Sequence, residues 1–304
     1  MKWGLISRSG YGQSGLISMP FDQLTVPELT ESLGEHKYIA DRGLSTALLL
    51  ALKLGKPLLL EGEVGVGKTE LARTVSTMLG RELIRLQCYE GIDMHQALYE
   101  WDYARQMLFV RSLGSEEASD DQLFGPRFLL ERPLLQAVRA GDQCVLLIDE
   151  VDRADDEFEA FLLELLGDYQ VTIPEVGTIK AQSRPIVILT SNRTRELHDA
   201  LKRRCLYTWI GFPESEREVE IVRSRLPEVG PALANQVVSA VNRLRAMDLE
   251  KLPGVAETID WTESVSALGS NSLTAEIALD TLGAVVKDRD DLEFASRNIQ
   301  DVIS

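Results

Sequence analysis

Two periodicities divide the chain. Up to about residue 210, short apolar runs alternate with segments whose apolar positions recur every three or four residues, the pattern of a parallel sheet covered by helices. Buried strands are predicted at Pro57–Glu61, Leu83–Cys88, Cys144–Asp149, Ile186–Thr190 and Tyr207–Ile210. Between them, Lys68–Leu79 has helical spacing and closes at Gly80, and Pro133–Arg139 reads as a helix with proline at its first position. Phe158–Leu166 reads as a third helix, stopped by Gly167, and Gln170–Ala181 alternates around Gly177 as a hairpin would. Beyond Gly211-Phe212-Pro213 the helical period takes over, at Ser215–Arg225, Ala232–Met247, Thr262–Leu268, Thr274–Val286 and Asp291–Ile299. No further apolar run follows that could extend the sheet. The expected organisation is an N-terminal extension over 1–33, an α/β core over 34–211 and a small all-helical domain over 212–304.

Charge narrows the function classes. Among 304 residues, 32 Lys and Arg stand against 48 Asp and Glu, a formal net charge of -16. Affinity for nucleic-acid backbones comes mainly from Lys and Arg displacing counterions, so a general nucleic-acid binder is disfavoured, and so is a polybasic membrane-surface protein. The first 18 residues hold four Gly and four Ser without the apolar core of a secretory signal, and Met1–Ser18 is expected to be a flexible extension or an over-long start. The richest apolar stretch, Ala47–Leu60, is interrupted by Lys53 and Lys56, so no membrane insertion is expected. Cys88, Cys144 and Cys205 lie far apart with no CxxC, which points to a reducing cytoplasm. His36, His95 and His198 have no ligand spacing, so no metal site apart from a nucleotide's Mg²⁺ is expected. The only low-complexity stretch is the acidic loop Glu116–Asp121.

The strongest chemical signal is GEVGVGKT, Gly62–Thr69, which matches GxxxxGK[ST] in full, directly after an apolar strand and directly before a helix. Glycines let such a backbone curl until its N–H groups point inward at phosphate oxygens, and the helix N-terminus adds a positive dipole end. The cradle is Gly62, Glu63, Val64, Gly65, Val66 and Gly67, continuing into Lys68, Thr69 and Glu70. Lys68 is expected to reach the β and γ phosphates, and the Thr69 hydroxyl to ligate Mg²⁺.

Further along, CVLLIDE (Cys144–Glu150) is a buried strand ending in two carboxylates. Open α/β sheets bind ligands at that edge, so Asp149 is expected to face Mg²⁺ through water, and Glu150 to polarise a water for in-line attack. The strand Pro185–Thr190 ends in Ser191-Asn192, where Asn192 could sense the γ-phosphate or hold the attacking water. Beyond its first two members, the acidic run Asp149–Glu159 reads as a helix start. Tyr89, Tyr99, Trp101 and Tyr103 read either as substrate-gripping aromatics or as an aromatic helix packed into its own core.

A P-loop, then Asp-Glu, then Asn192, then the basic pair Arg203-Arg204 before a last strand and a helical lid: this order resembles the AAA+ ATPases, from about Tyr38 to the end. More closely it resembles the MoxR branch, and within it the subgroup typified by CoxD, the ATPase of carbon monoxide dehydrogenase maturation. That likeness is carried by LLLEGEVGVGKTE, IRLQCYEGID, ALYEWDYARQM, LLIDEVDRADDEFEAFLLELL, QVTIPEVGTIKA, ILTSNRTRELHDALKRRCLY and PGVAETIDW. The resemblance implies Walker A roles for Gly62, Gly67, Lys68 and Thr69, Walker B roles for Asp149 and Glu150, and a sensor 1 role for Asn192. It implies an arginine finger at Arg204, with Arg203 the alternative, reaching a neighbouring subunit's γ-phosphate. It implies adenine contacts at Tyr38 and Ile39, and two inserts, Cys88–Met107 and Gln170–Ala181, facing a ring pore or a partner. The implied assembly is a ring, usually a hexamer, that hydrolyses Mg-ATP. Its implied partner is a protein with a von Willebrand factor A domain, and its client a molybdenum hydroxylase of the carbon monoxide dehydrogenase type. One feature departs from the pattern. Where many relatives carry a sensor 2 arginine, GVAETIDW offers Ala256-Glu257 and no Arg.

Three other functions share the P-loop. A DNA-handling AAA+ loader is disfavoured by the charge and the lack of a basic arm, and a small-molecule kinase by the helical lid, Asn192 and Arg203-Arg204. A nucleotide-gated scaffold with negligible turnover is disfavoured by Glu150.

Overall fold

The computed structural model describes residues 21–113 and 119–304. Met1–Ser18 and the first part of the acidic stretch Glu116–Asp121 lie outside the described residues. In chain order the first elements are α1 (Val26–Glu35), α2 (Arg42–Leu54), β1 (Leu58–Gly62), α3 (Lys68–Leu79) and β2 (Glu82–Gln87). Then come α4 (Met94–Ala97), β3 (Tyr99–Trp101), α5 (Tyr103–Ser112), α6 (Asp120–Leu123), β4 (Leu129–Glu131), α7 (Pro133–Ala140) and β5 (Cys144–Asp149). The α/β unit closes with α8 (Asp156–Asp168), β6 (Gln170–Ile173), β7 (Gly177–Lys180), β8 (Ile186–Ser191), α9 (Asp199–Arg204) and β9 (Leu206–Ile210). The helical unit holds α10 (Ser215–Arg225), α11 (Pro231–Ala246), α12 (Val255–Ala267), α13 (Ala275–Thr281), α14 (Arg289–Arg297) and α15 (Ile299–Ile303).

Five strands pair in the order β2-β5-β8-β1-β9, all parallel. Burial on both faces explains the unbroken apolar runs of the central strands. Leu59, Leu146, Ile148 and Leu189 point into one cluster with α7, α8 and α9, whereas Leu58, Leu60, Val145, Leu147 and Ile188 point into another with α1, α2 and α3. The result is the three-layer AAA+ P-loop fold, a five-stranded parallel sheet between helices, followed by a helical C-terminal region. That region has its own core around the fully buried Trp261, whose indole N–H donates to Thr281 Oγ1 at 2.8 Å. Helix α1 lies ahead of position 34, where the α/β core was expected to start, yet its Leu29 and Leu33 are fully buried in the cluster around α2 and α3.

Several expectations need correction. Gly167 does not stop α8, which runs on to Asp168 and ends at Tyr169 in the left-handed conformation. A Cβ at 167 would meet only the Arg204 guanidinium, the far end of a flexible side chain, so neither capping nor backbone packing demands this glycine. The acidic run after Glu150 is not simply a solvated helix start. Asp152 is buried and accepts bonds from the Thr194 amide (2.8 Å) and hydroxyl (2.7 Å), and the helix begins only after its N-cap Asp155. Tyr99 and Trp101 lie on a strand rather than a helix, because β3 pairs antiparallel with β4 and turns both rings into the core, while Tyr89 and Tyr103 are exposed. Asp120 and Asp121 open a helical turn instead of a loop. The third lid helix starts at Val255, not Thr262, since the Glu257 carboxylate accepts the Gly254 amide at 2.9 Å and caps the added turns.

Candidate functional site

The C-terminal ends of the central strands open onto a cavity of about 570 Å³, a size that accommodates a small ligand. β1 delivers the P-loop. Gly62 lies so close to the Ile210 carbonyl on β9 that a side chain would overlap it, while Gly65 and Gly67 have φ of +76° and +91°. Lys68 is buried, and its ammonium donates to the carbonyls of Gly62 at 2.8 Å and Glu63 at 2.5 Å. Burial lowers its pKa against the opposing pull of Asp152, Glu63, Asp149 and Glu150.

β5 delivers Asp149, whose carboxylate is almost fully buried. Its Oδ1 accepts from the Thr69 hydroxyl at 2.9 Å and the Thr190 hydroxyl at 2.5 Å, and its Oδ2 accepts from Arg85 Nη2 at 2.6 Å and Nε at 3.0 Å. Glu150 follows at φ +53°, a left-handed conformation that costs a non-glycine residue about 1 kcal/mol. Its amide donates to Thr190 Oγ1 at 2.9 Å, so that one threonine on β8 ties both carboxylate residues in place. Arg153 pairs with the Glu150 carboxylate at 3.1 Å. Asn192, just beyond β8, lines the same cavity, and its amide donates to Asp152 Oδ1 at 3.2 Å.

Tyr38 and Ile39 form the side of the cavity nearest α1, and the Tyr38 hydroxyl donates to the Gly67 carbonyl at 3.4 Å. Burial pushes the Tyr38 phenol above its ordinary pKa. The opposite wall is the helical unit. Gly254 packs against Gly65, and the amides of Val255 and Ala256 donate to the Gly65 carbonyl at 3.0 and 3.3 Å. Two arginines of α10 also reach this cavity, each held by a carboxylate of the α/β unit: Arg217 by Asp41 at 2.7 Å and Arg225 by Glu70 at 2.6 Å.

Of the expected site residues, Lys68, Thr69, Glu70, Asp149, Glu150, Asn192, Tyr38 and Ile39 line this one cavity together with the loop Val64–Gly67. Arg203 and Arg204 do not. They lie on α9 beside another hollow with Glu164, Asp168 and Arg184, and the Arg204 guanidinium donates to the Leu163 carbonyl. Arg85, Thr190, Arg217 and Arg225 escaped sequence reasoning. Arg85 left a faint signal, a cation in the middle of an apolar strand; Arg217 and Arg225 left none, since their helix reads as amphipathic and solvated.

A hydroxyl and a carboxylate converging at 2.9 Å, beside curled glycine backbone and a lysine, are hard oxygen donors next to an anion cradle. The residues present therefore fit Mg²⁺ with a nucleotide triphosphate. Among the described residues no cluster of three or more His, Cys, Asp or Glu side chains is arranged to hold a metal ion without it. No helix among them is long and apolar enough to cross a membrane.

Residues 57–205 match the family described as AAA domain (dynein-related subfamily), a segment that spans the P-loop, Asp149-Glu150, Asn192 and Arg203-Arg204. The chain thus carries an AAA domain over these residues and is an ATP hydrolase using ATP and Mg²⁺. The gas vesicle ATPase GvpN of Haloferax mediterranei is 24% identical over 79% of this chain and 72% of its own length. YojN of Bacillus subtilis is 26% identical over 67% of this chain and 64% of its own. SH1500 of Staphylococcus haemolyticus is 24% identical over 77% of this chain and 88% of its own. The RuvB Holliday junction branch migration motor of Thermotoga maritima is a distant structural likeness, with a TM-score of 0.46 and 20% identity, covering 90% of this chain and 76% of that one.

Proposed function

We propose that this chain is a MoxR-type motor that converts ATP hydrolysis into strain on a folded protein client. Its α/β unit through residue 211 would act as the motor and residues 212–304 as its lid. Lys68 and the P-loop amides would bind the phosphates, Thr69 and Asp149 would hold Mg²⁺, which when bound would supply charge neutralisation at the phosphates, Asn192 would position the attacking water, and Glu150 would accept its proton. The observation that carries the reading is the convergence of Lys68, Thr69, Asp149, Glu150 and Asn192 on one cavity while Arg203 and Arg204 stand outside it. An arginine absent from its own site suits a finger that completes a neighbour's, in a ring of about six subunits.

The finer reading follows the resemblance to CoxD: a cytoplasmic ring working with a von Willebrand factor A domain protein on a molybdenum hydroxylase of the carbon monoxide dehydrogenase type. The test is to trap the Glu150→Gln variant with ATP in its native cell and identify what co-purifies. Recovery of a molybdenum enzyme supports this client, and recovery of replication proteins overturns it. For the finger, Arg204→Ala subunits should lose turnover and regain part of it when mixed with Lys68→Ala subunits. No regain counts against action in trans. One observation favours a second reading, a nucleotide-gated scaffold: Arg153 holds the Glu150 carboxylate that should work on water. A turnover rate indistinguishable from that of Glu150→Gln would favour the scaffold.

A further inference from the structure

Asp149 has both oxygens engaged, and the two engagements differ in kind. Oδ1 takes two hydroxyls, from Thr69 on the P-loop helix and Thr190 on β8. Oδ2 takes a guanidinium fork from Arg85 on the sheet's edge strand, with Nη2 at 2.6 Å and Nε at 3.0 Å. Strand register makes this reach possible: Gln87 stands opposite Asp149, so Arg85 lies two residues back on the same face of β2. The Gln87 side-chain oxygen accepts from the same Arg85 Nη2 and steadies the guanidinium. The Asp149 side chain is 3% exposed and that of Arg85 41%, so the arginine clamps a buried acid from the solvent side. Both donors meet on Oδ2 and hold that one atom in place; with Oδ1 held by the two hydroxyls, the carboxylate is fixed at both ends and its plane cannot swing.

We propose that Arg85 is a positioning residue for the magnesium site. It holds Oδ2 so that Oδ1 stays turned toward Thr69, where the metal's water shell must be received. Partners that orient metal-side ligands typically matter by tenfold or more in metal affinity. The opposing effect is electrostatic: a cation beside Asp149 weakens the site's pull on Mg²⁺. Because Arg85 is partly exposed, water screens that repulsion, whereas nothing screens the loss of orientation. Orientation therefore outweighs repulsion. The inference rests on the proposed magnesium role of Asp149.

The test uses the full chain carrying Arg85→Ala, Arg85→Lys or Asp149→Asn. The first readout is equilibrium binding of a fluorescent ATP analogue, in EDTA and then across a Mg²⁺ titration; the second is turnover against Mg²⁺ concentration. Arg85→Ala should bind the analogue in EDTA within about twofold of the parent chain and need about tenfold more Mg²⁺ to reach its half-point. Arg85→Lys keeps the charge but lacks the fork, and should fall between. An unchanged or lower Mg²⁺ half-point in Arg85→Ala overturns the inference, as does an equal loss of binding in EDTA, the mark of a merely structural residue. Should Arg85→Ala fail to fold, Arg85→Lys decides alone: its half-point must rise. Asp149→Asn separates the two claims. If its half-point does not rise, the magnesium role of Asp149 fails; if it rises and that of Arg85→Ala does not, only the inference about Arg85 fails.

Discussion

The two walls of the nucleotide cavity are built by different means. On the α/β side, chemistry is carried by side chains at strand tips: Lys68 after β1, Asp149 and Glu150 at the end of β5, Asn192 after β8. On the helical side, contact with the P-loop is largely backbone on backbone, two amides of α12 donating to the Gly65 carbonyl. The cations there, Arg217 and Arg225, are already paired with carboxylates of the other wall. Where the resemblance to AAA+ ATPases leads one to expect a sensor 2 arginine, this chain has Ala256-Glu257, and Glu257 turns back to cap its own helix. The first wall is equipped to react, and the second to register how the P-loop lies against it.

The comparison breaks first at Glu150. Replacing it by Gln keeps the shape of the first wall and removes the base proposed for it, and ATP turnover should fall by roughly 10²–10⁴-fold while ATP binding persists. Equal turnover in the variant, measured by phosphate release, would remove Glu150 from the reaction.

A smaller effect is expected across the walls at Gly254. A methyl group there would meet the Val64 carbonyl oxygen at 2.7 Å and the Gly65 α-carbon at 2.8 Å, both backbone atoms that cannot swing aside. Gly254→Ala should therefore push α12 off the P-loop and lose both amide bonds, about 1 kcal/mol each. The expected result is roughly a tenfold or greater loss of ATP affinity with the helical unit still folded. Gly283→Ala, where nothing lies within 4 Å, is the control. If both variants bind alike in calorimetric titration, the lid does not read the P-loop through this contact.

The smallest effect separates the units by their thiols. Cys88, Cys144 and Cys205 all belong to the α/β unit, and burial pushes them up to about 12, 11 and 12. At pH 8 an aromatic disulfide reagent should find almost no reactive thiol in the folded chain and three after unfolding. Unfolded thiols ionise near 9.0 while the folded ones stay protonated, so stability is full below that value and falls as pH rises toward about 12. Thiols that react before the helical unit loses its near-ultraviolet signal would show the α/β unit opening first; unreactive thiols while that signal decays would show the reverse.

Legibility followed the range of the interactions. Lys68–Leu79 and the five strands could be read because their signals are local: a glycine cap, a strand–loop–helix motif, apolar runs bounded by turns. Gly167 misled because the helix runs one residue past it and ends at Tyr169, which takes the left-handed conformation usually left to glycine. The strand Tyr99–Trp101 was hidden because its partner, Leu129–Glu131, lies beyond the two helices α5 and α6. The first turns of α12 were overlooked because Gly254 reads as a breaker, whereas here Glu257 closes the cap and the P-loop carbonyl takes the free amides.

By itself, then, the sequence determined the strands of the parallel sheet, the phosphate-binding loop and the order of acidic and polar strand tips, because each is signalled by a pattern within about a dozen residues. Only the tertiary structure decided that Arg85 clamps Asp149, that Thr190 ties Asp149 to Glu150, and that the lid rests on Gly65 through its backbone. Those choices join residues 40 to about 190 positions apart. Apolar spacing and turn chemistry report what one segment buries, and they carry no information about which distant side chain the fold will set against it.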